Sequence, residues 1–514
     1  MKRALLLVLA LLVIAFIIAG IYIFMSSHTA QVKIWDSISV GVNILFGLTI
    51  LSFIYTVIRD NNEPIITIAW LQVLIYLPVV GFFLYIMFGV NYRKRKLFRN
   101  KANLDLNHME KFQKLLSHTP STRSPEFKIG SLKHASTVKL LYHNNHSFLS
   151  LNNKIETYHD GATTNREIFE TLKTATKHIH MEYFSINNDD TGNELRDILL
   201  QKAKEGVEIR LIYDAVGCWK LRKNWLKPLR DNGVQAIAFL PVIVPFLSSK
   251  LNFRNHRKIV IIDGKIGFLG GVNIGDKYMG ISKRFGFWRD SHLKLQGSCV
   301  YSLQKSFIID WGFHSTENLQ HEKYFPPHNI ENTLPVQFAI SGPDSQWENI
   351  MQLYFYAITQ AKEKIYITTP YLVLNESMVT ALVTSALSGI DVRIILPHKA
   401  DHTVVFLGTH SYYEELMQAG VKIYHYIKGF VHAKILLVDD EFVSIGSANM
   451  DIRSFKQNFE INAIVYDKKY NAKILEQFEL DFGNSQQVDE AEFLKRSSWI
   501  KGGESVARLV SPLL

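Results

Sequence analysis

An internal repeat constrains this chain more than any other feature of its sequence. Five positions of five residue types recur at one fixed spacing of 176 residues: His256, Lys258, Asp263, Gly270 and Asn273 in the first copy, and His432, Lys434, Asp439, Gly446 and Asn449 in the second. One spacing kept across five residue types indicates a duplicated unit. A length of 514 residues is also too great for one ordinary core. Two copies that face each other would bring both motifs to one shared site.

The residues around each motif alternate between helical and strand patterns. The first half has predicted helices at 165–175 and 193–204 and predicted strands at 178–186 and 207–213. The second half has predicted helices at 347–361 and 376–387 and predicted strands at 365–369 and 392–396. Strands that alternate with helices predict a mostly parallel sheet with helices on both faces. The predicted fold class is α/β, with duplicated α/β/α halves at 135–325 and 326–514.

The first 92 residues are far more apolar than the rest. Uncharged runs at 4–25, 37–58 and 64–92 are each long enough to cross a bilayer core of about 30 Å, so they predict three transmembrane helices. A cleaved signal peptide is the alternative for the first run, because Lys2 and Arg3 precede it.

A basic segment follows the apolar region. Residues 93–134 are predicted to be a juxtamembrane linker, and six Lys or Arg residues lie within 93–101. By the positive-inside rule they place the following domain in the cytoplasm, and they should bind anionic lipid headgroups.

Charge and cysteine content leave the partner open. The net charge of +10 suits nucleic acid, an anionic membrane or an acidic substrate. Cys218 and Cys299 are isolated and are predicted to be small buried residues, not disulfide or metal-binding thiols. The chain contains no nucleotide-binding or zinc-protease motif, so we predict no cofactor and no metal.

Each motif combines a histidine and a lysine at the start of a predicted buried strand. Side chains two positions apart share one face of a strand, so His256 and Lys258 point the same way. His432 and Lys434 do the same in the second copy. Two imidazoles and two ammonium groups in one cleft suit a phosphodiester and need no metal. One histidine can attack phosphorus while the other protonates the leaving oxygen.

The motif aspartates are ambiguous. Asp263 and Asp439 belong to the motif and are therefore candidates for catalysis. However, each lies five residues after its lysine, on the opposite face of a regular strand. The pair Asp263-Gly264 after a β-run also indicates a hairpin turn. A structural or supporting role is therefore an equal alternative.

Small and amide residues after each motif are candidates for substrate binding. Gly271 and Ser447 follow the repeated glycines and are predicted to let the backbone approach a phosphate closely. Asn273 and Asn449 are predicted to donate amide hydrogens to it.

Two carboxylates occupy comparable places in the two halves. Asp290 follows His256 by 34 residues, and Glu460 follows His432 by 28 residues. A buried imidazole needs a carboxylate to hold its tautomer and support its charge. We therefore predict that Asp290 and Glu460 orient the two histidines, with the pairing between them left open.

With these residues identified, the chain resembles bacterial cardiolipin synthases of the phospholipase D superfamily. The likeness runs from about residue 43 to the C-terminus. It is carried by these segments: Asn62-Glu63-Pro64, Asn255-His256-Arg257-Lys258, Gly270-Gly271-Val272-Asn273, Trp288-Arg289-Asp290, Thr369-Pro370-Tyr371, His432-Ala433-Lys434 and the run from Gly446 to Phe455. The paired motif indicates the superfamily, and the last run and the apolar hairpin narrow it to the family.

The resemblance implies an activity and a location. It implies that two phosphatidylglycerols give cardiolipin and glycerol in a bacterial cell membrane, through a phosphohistidine. By analogy, His256 is the nucleophile and His432 the general acid and base. Nucleic acid is not an expected partner. The alternatives are a phospholipase D or another phosphatidyltransferase such as a phosphatidylserine synthase, a membrane-tethered nuclease, and a non-catalytic scaffold.

Overall fold

The computed structural model describes residues 28–59, 64–78, 80–81, 84–85, 98, 134–221, 223–242, 252–319, 321–331 and 334–510. The chain divides into two compact units, Met1–Tyr92 and Arg93–Leu514.

The first unit contains two packed helices, α1 (His28–Arg59) and α2 (Pro64–Tyr76). Val57, Leu74 and Tyr85 are buried between them, and the Trp70 and Tyr85 ring centroids lie 5.3 Å apart. The second apolar run and the start of the third therefore form helices that pack against each other.

The predicted membrane spans need correction. The span predicted at 4–25 lies outside the described residues. Within the span predicted at 64–92 the structure describes α2, which ends at Tyr76 after 13 residues, a length of about 20 Å. The segment 37–58 lies within α1. Among the helices that the structure describes, including α1, none is both long enough and apolar enough to cross a membrane.

The second unit begins with the elements of the first half. Its helices are α3 (Ala135–Asn145), α4 (Gly161–Lys173), α5 (Asp190–Lys204), α6 (Lys223–Asp231) and α7 (Val300–His314). Its strands are β1 (Asn153–Asp160), β2 (His178–Tyr183), β3 (Glu208–Asp214), β4 (Gln235–Phe239), β5 (Lys258–Ile262), β6 (Ile266–Gly270) and β7 (Phe287–Gly297). Helices and strands predicted from 165 to 213 are confirmed, with ends shifted by a few residues.

The second half repeats this plan. Its helices are α8 (Asn349–Thr359), α9 (Glu376–Leu387), α10 (Thr403–His410), α11 (Tyr413–Gln418), α12 (Ile452–Lys456), α13 (Lys468–Gly483), α14 (Glu490–Leu494) and α15 (Ser498–Val510). Its strands are β8 (Val336–Ser341), β9 (Lys364–Thr368), β10 (Leu372–Val373), β11 (Asp391–Pro397), β12 (Lys422–Tyr426), β13 (Gly429–Val431), β14 (Ile435–Val438), β15 (Phe442–Gly446), β16 (Met450–Asp451), β17 (Glu460–Val465) and β18 (Ser485–Gln487).

Each half contributes one large sheet. The first sheet has the order β1-β7-β6-β5-β2-β3-β4, and the second has the order β18-β12-β11-β9-β14-β15-β17-β8. The prediction of a mostly parallel sheet is wrong. Only β2, β3 and β4, and their equivalents β9, β11 and β12, run parallel within these orders. Each motif strand joins the strand that follows it through a tight hairpin, and a tight hairpin can connect only antiparallel strands.

The two sheets share one core. β5 and β14 are buried on both faces: Ile259 and Ile435 point into a cluster built from both halves, whereas Val260 and Leu436 point into separate outer clusters. This alternation follows from the two-residue period of a strand. The motif strands are therefore fixed from both sides, and they hold the residues at their ends in place.

Helix α3 packs with the second half, although its residues belong to the predicted first half at 135–325. Val138 and Leu141 are fully buried in the outer cluster of the second half. The Gln337 side chain donates to the Val138 carbonyl oxygen over 3.1 Å. Helix α3 therefore belongs to the second half in space, although it precedes the first sheet in the sequence.

Candidate active site

Both motif histidines line one cleft. The cleft has a volume of about 460 Å³ and takes its lining from both halves, including His256 and Asn273 from the first and His432 and Asn449 from the second. Each of the two histidines is only 8% exposed. The structure thus brings the two motifs to the same small space.

A carboxylate from the opposite half holds each imidazole. His256 Nδ1 lies 3.0 and 3.1 Å from the carboxylate oxygens of Glu460. His432 Nδ1 lies 2.7 Å from Asp290 Oδ2. Both carboxylates are fully buried. Because Nδ1–H is donated to the carboxylate, Nε2 is the nitrogen left for chemistry in the cleft.

A parallel strand contact explains why Asp290 reaches the second histidine. β13, just before His432, pairs with β7 of the first sheet, with Val431 opposite Arg289. The His432 backbone N–H then donates to the Arg289 carbonyl oxygen over 2.7 Å. The next residue along β7 is Asp290, so its carboxylate lies beside the imidazole.

The same arrangement is repeated at the other histidine. Asn255 forms an isolated parallel bridge with Phe459. The His256 backbone N–H donates to the Phe459 carbonyl oxygen over 3.0 Å, and Glu460 is the next residue. The pairing between carboxylates and histidines, which the sequence left open, is therefore crossed between the halves.

Further hydrogen bonds keep both carboxylates ionised. Glu460 accepts hydrogen bonds from the Ser447 hydroxyl at 2.5 Å and the Ser454 hydroxyl at 3.0 Å. Burial opposes ionisation, but the adjacent His256, the charge of Lys258 and the Ser447 hydroxyl lower the pKa of Glu460 overall. Burial likewise opposes the ionisation of Asp290, but Lys434 and His432 lower its pKa overall.

Two buried ammonium groups flank the imidazoles. Lys258 Nζ donates to the His256 carbonyl oxygen over 2.5 Å, and Lys434 Nζ lies 2.9 Å from His432 Nδ1. Burial is the main cause that lowers the pKa of Lys258 to about 7 and that of Lys434 to about 8. An incoming phosphate anion would compensate both cations and raise these pKa values again.

The imidazoles also titrate below their usual range. Burial is the largest cause that lowers the pKa of His256, and Glu460 partly offsets it. Burial and then Lys434 lower the pKa of His432 to about 3. Both rings are therefore neutral near pH 7 until an anion enters the cleft and favours protonation of one of them.

The motif aspartates do not reach the cleft, which corrects their place among the catalytic candidates. The Asp263 carboxylate accepts from the backbone N–H groups of Thr176, Lys177 and His178, at 2.7 to 2.9 Å. Its φ is +54°, in the predicted hairpin turn at the far end of β5. The carboxylate therefore connects the hairpin to the start of β2. Asp263 has the structural role that the sequence analysis gave as the alternative to catalysis.

Asp439 has the equivalent place in the second half. Its carboxylate accepts from the backbone N–H groups of Lys362, Glu363 and Lys364, at 2.8 to 3.2 Å. Its φ is +51°. Asp439 thus fixes the start of β9 against the hairpin after β14.

Gly271 and Ser447 contact the carboxylates, whereas the sequence predicted that they let the backbone approach a phosphate. A Cβ on Gly271 would lie 2.1 Å from Asp290 Oδ1. Ser447 donates its hydroxyl to Glu460, and its carbonyl oxygen lies 3.1 Å from His256 Nδ1. Both residues therefore position the groups that hold the histidines.

Asn273 and Asn449 line the cleft in equivalent places. The Asn449 amide nitrogen donates to Asp451 Oδ2 over 3.0 Å. The side-chain oxygens of Asn273 and Asn449 are buried and accept no hydrogen bond from any residue that the structure describes. Both side-chain oxygens are thus available to accept a hydrogen bond from a substrate.

Several lining residues were not predicted from the sequence: Arg254, Lys277, Tyr371, Asp401 and Arg453. One signal could have found two of them. Arg453 follows Lys277 by 176 residues, the spacing of the motif repeat. Of the other three, Tyr371 lies in the Thr369-Pro370-Tyr371 segment that carries the family resemblance, whereas Arg254 and Asp401 lie outside both the repeat and the quoted segments.

The described part of the chain contains no group of three or more His, Cys, Asp or Glu side chains that could hold a metal ion. Cys218 and Cys299 are free and buried.

Comparisons with known proteins agree with this geometry. Residues 168–285 and 354–482 match the family described as "Cardiolipin synthase, PLD-like domain", and residues 47–89 match "Phospholipase_D-nuclease N-terminal". A cardiolipin synthase of Geobacillus sp. strain WCH70 is 45% identical over 92% of this chain and 94% of its own length. The cardiolipin synthase of Staphylococcus aureus strain Mu50 is 39% identical over 94% of this chain and 97% of its own length.

One solved structure shares the fold. The phosphatidylserine synthase of Haemophilus influenzae Rd KW20 covers 74% of this chain and 99% of its own, with a TM-score of 0.58 and 14% identity. The extent of the sequence likeness to the curated relatives shows that this chain belongs to the cardiolipin synthase family with phospholipase D-like domains.

Proposed function

We propose that this chain synthesises cardiolipin by transferring a phosphatidyl group from one phosphatidylglycerol to another, with release of glycerol. The observation that carries the proposal is the pair of imidazoles in one cleft, each held at Nδ1 by a buried carboxylate from the other half. The names of the relatives support the choice of lipid.

In the first step, His256 Nε2 attacks the phosphorus of the donor lipid. Glu460 accepts the hydrogen bond from Nδ1–H and stabilises the positive charge that develops on the ring. The bond between phosphorus and the glycerol oxygen breaks, and protonated His432 gives its Nε2 proton to that oxygen. Glycerol leaves, and the phosphatidyl group is held on His256 as a phosphoramidate.

In the second step, the reaction runs through the same atoms in reverse. Neutral His432 takes the proton from a hydroxyl of the second phosphatidylglycerol. The freed oxygen attacks phosphorus, and the phosphorus–nitrogen bond to His256 breaks. His432 ends the cycle protonated, as it began, so the exchange consumes no proton.

The cationic groups bind the phosphate. Lys258 and Lys434 neutralise the charge on the non-bridging oxygens, and side-chain N–H groups of Asn273 and Asn449 donate hydrogen bonds to them. A phosphodiester in the cleft also raises the pKa of His432, which supplies the protonated ring that the first step requires.

The chain works at a membrane, in keeping with its lipid substrates and with the match of residues 47–89. Along α1, six apolar side chains at intervals of three or four residues are more than half exposed: Val40, Ile44, Leu48, Leu51, Tyr55 and Ile58. Such a stripe suits contact with lipid chains. The basic residues at 93–101 favour a cytoplasmic location of the catalytic unit.

Incubation of the purified full chain with isotopically labelled phosphatidylglycerol tests the proposal. Cardiolipin and free glycerol are the expected products. Phosphatidic acid without cardiolipin would indicate a phospholipase D, and the absence of any lipid product would refute the proposal.

The variant His256→Ala tests the nucleophile. It should fold, remain with the membrane fraction and form no phosphoenzyme. The matched variant His159→Ala changes a histidine that does not line the cleft and should keep full activity. Turnover by His256→Ala at more than a few per cent of the normal rate would refute the assignment.

A further inference from the structure

The cleft has two chemically different ends. Arg254 and Arg453 lie at the end nearer His256, where the Asn255 backbone N–H donates to Asp214 and Arg254 also donates to Asp214. The other end, defined here as the acceptor end, contains Lys277, Tyr371 and Asp401.

The acceptor end lies beside His432. The Trp288 ring centroid is 5.2 Å from that of His432, and Lys277 Nζ lies 5.0 Å from the Trp288 ring centroid. The charge of Asp401 raises the pKa values of Lys277 and Lys434 against the larger opposing effect of burial. Asp401 and His432 line the same cleft.

Asp401 is held in a fixed position. The Tyr371 hydroxyl donates to Asp401 Oδ2 over 2.6 Å, and the Asp401 side chain is only 10% exposed. The preceding residue is also tied down, because Arg284 donates to the Ala400 carbonyl oxygen over 3.1 Å. The first half thus contacts the second half at the residue next to this carboxylate.

Two carboxylates line the cleft. Asp451 already accepts hydrogen bonds from Asn449 and from the Ser454 backbone N–H, whereas Asp401 is unexpected in a cleft that attracts phosphate. It repels the anion, so its contribution to binding must be to accept a hydrogen bond from a donor group on the substrate. Hydroxyl and ammonium groups are the two candidate donors. Lys277 supplies a positive charge at the same end, caged by the rings of Phe285 and Trp288 at 4.7 and 5.0 Å. Because this charge offsets that of Asp401, the acceptor end favours an uncharged hydroxyl over an ammonium group.

We propose that Asp401, oriented by Tyr371, binds a hydroxyl of the glycerol headgroup at the acceptor end and selects polyol headgroups for transfer. The proposal rests on the function proposed above and specifies its acceptor. The headgroup of phosphatidylglycerol has two free hydroxyls. One reacts under the control of His432, and the other donates to Asp401.

The same contact serves both steps of the reaction. The leaving glycerol and the incoming headgroup occupy the same position opposite His256, because the second step reverses the first. Asp401 therefore holds glycerol as it departs and the second lipid as it arrives.

Competition between two alcohols tests the proposal on the full chain in mixed micelles. Wild type and Asp401→Asn receive phosphatidylglycerol with labelled glycerol and ethanol at fixed concentrations. Headgroup exchange reports the polyol, and phosphatidylethanol reports an alcohol without a second hydroxyl. The substitution Asp401→Asn keeps the shape of the side chain but removes its charge, so the ratio of exchange to ethanol transfer should fall roughly 10- to 100-fold.

Two further variants sharpen the comparison. Tyr371→Phe removes the hydroxyl that orients Asp401 and should shift the ratio in the same direction by a smaller factor. Asp440→Asn makes the same chemical change at a partly exposed carboxylate outside the cleft and should leave the ratio unchanged.

The outcomes separate this inference from the proposed function. An equal loss of both products in Asp401→Asn would mean that the residue is only structural and would overturn the inference. A wild-type preference for ethanolamine over glycerol would overturn the choice of a hydroxyl. A wild type that transfers to alcohols but makes no cardiolipin would refute the proposed function instead.

Discussion

Replacing Glu460 by Gln removes one negative charge from the His256 imidazole and keeps the shape of the side chain. The carboxylate lies 3.0 Å from Nδ1. Two unit charges at that distance interact with about 5.5 kcal/mol at an effective dielectric constant of about 20. If about half a charge develops on the ring as it attacks phosphorus, the loss is about 2.7 kcal/mol. We therefore expect kcat to fall about 100-fold.

The choice of leaving group separates the roles of the two histidines. A phosphatidyl ester of p-nitrophenol needs no proton on its leaving oxygen, so it bypasses the acid. With this donor, Asp290→Asn should keep a rapid burst of p-nitrophenol, because only His432 has lost its carboxylate. Glu460→Gln should lose the burst, because His256 still has to attack.

Rapid-mixing absorbance measurements give the amplitude of the p-nitrophenol burst in each variant directly. A burst in Glu460→Gln together with none in Asp290→Asn would reverse the assignment of nucleophile and acid. Unchanged kcat in both variants on the natural lipid would refute the role of crossed carboxylates altogether.

Three other perturbations test the same geometry. Asp263→Ala should lower the free energy of unfolding by about 1–3 kcal/mol, since it removes an acceptor of three backbone hydrogen bonds. The folded fraction should retain nearly normal kcat, which thermal unfolding and activity at low temperature can separate from the loss of stability. A folded but inactive variant would contradict the structural role. The buried Lys258 and Lys434 have lowered pKa values of about 7 and 8, so they lose charge as pH rises through this range. KM for the lipid should therefore rise between about pH 7 and 9. A KM that is flat over this interval would show that the cations do not bind the phosphate. Gly271→Ala should reduce kcat as Asp290→Asn does, because its new Cβ would displace Asp290 Oδ1, and a crystal structure with Asp290 unmoved would refute this explanation.

The chemistry of the site could be predicted from sequence because it repeats. The paired histidines and lysines share one spacing, and the two-residue period of a strand indicates which side chains point together. The same reasoning raised the structural alternative for Asp263, whose carboxylate binds the backbone at the far end of β5. Strand patterns also indicated which segments are buried.

Sheet topology and the pairing of carboxylates could not be predicted in the same way. Local sequence indicates a strand and, at Asp263-Gly264, the hairpin turn that follows it. It does not indicate which other strands lie beside it, so the antiparallel arrangement around both motif strands could not be deduced. The contact of Asp290 with His432 joins residues 142 positions apart in the sequence. It depends on how β13 pairs with β7 across the two halves, which no local pattern records.

The crossed carboxylates make each half chemically incomplete. The first half alone would contain a histidine without the carboxylate that orients its imidazole, and the same holds for the second half alone. An ancestral chain with one motif could work only as a symmetric pair in which each copy completed its neighbour. Within one chain the two copies need not be identical: one imidazole is held by an aspartate and the other by a glutamate, which allows the two histidines to differ in their chemistry.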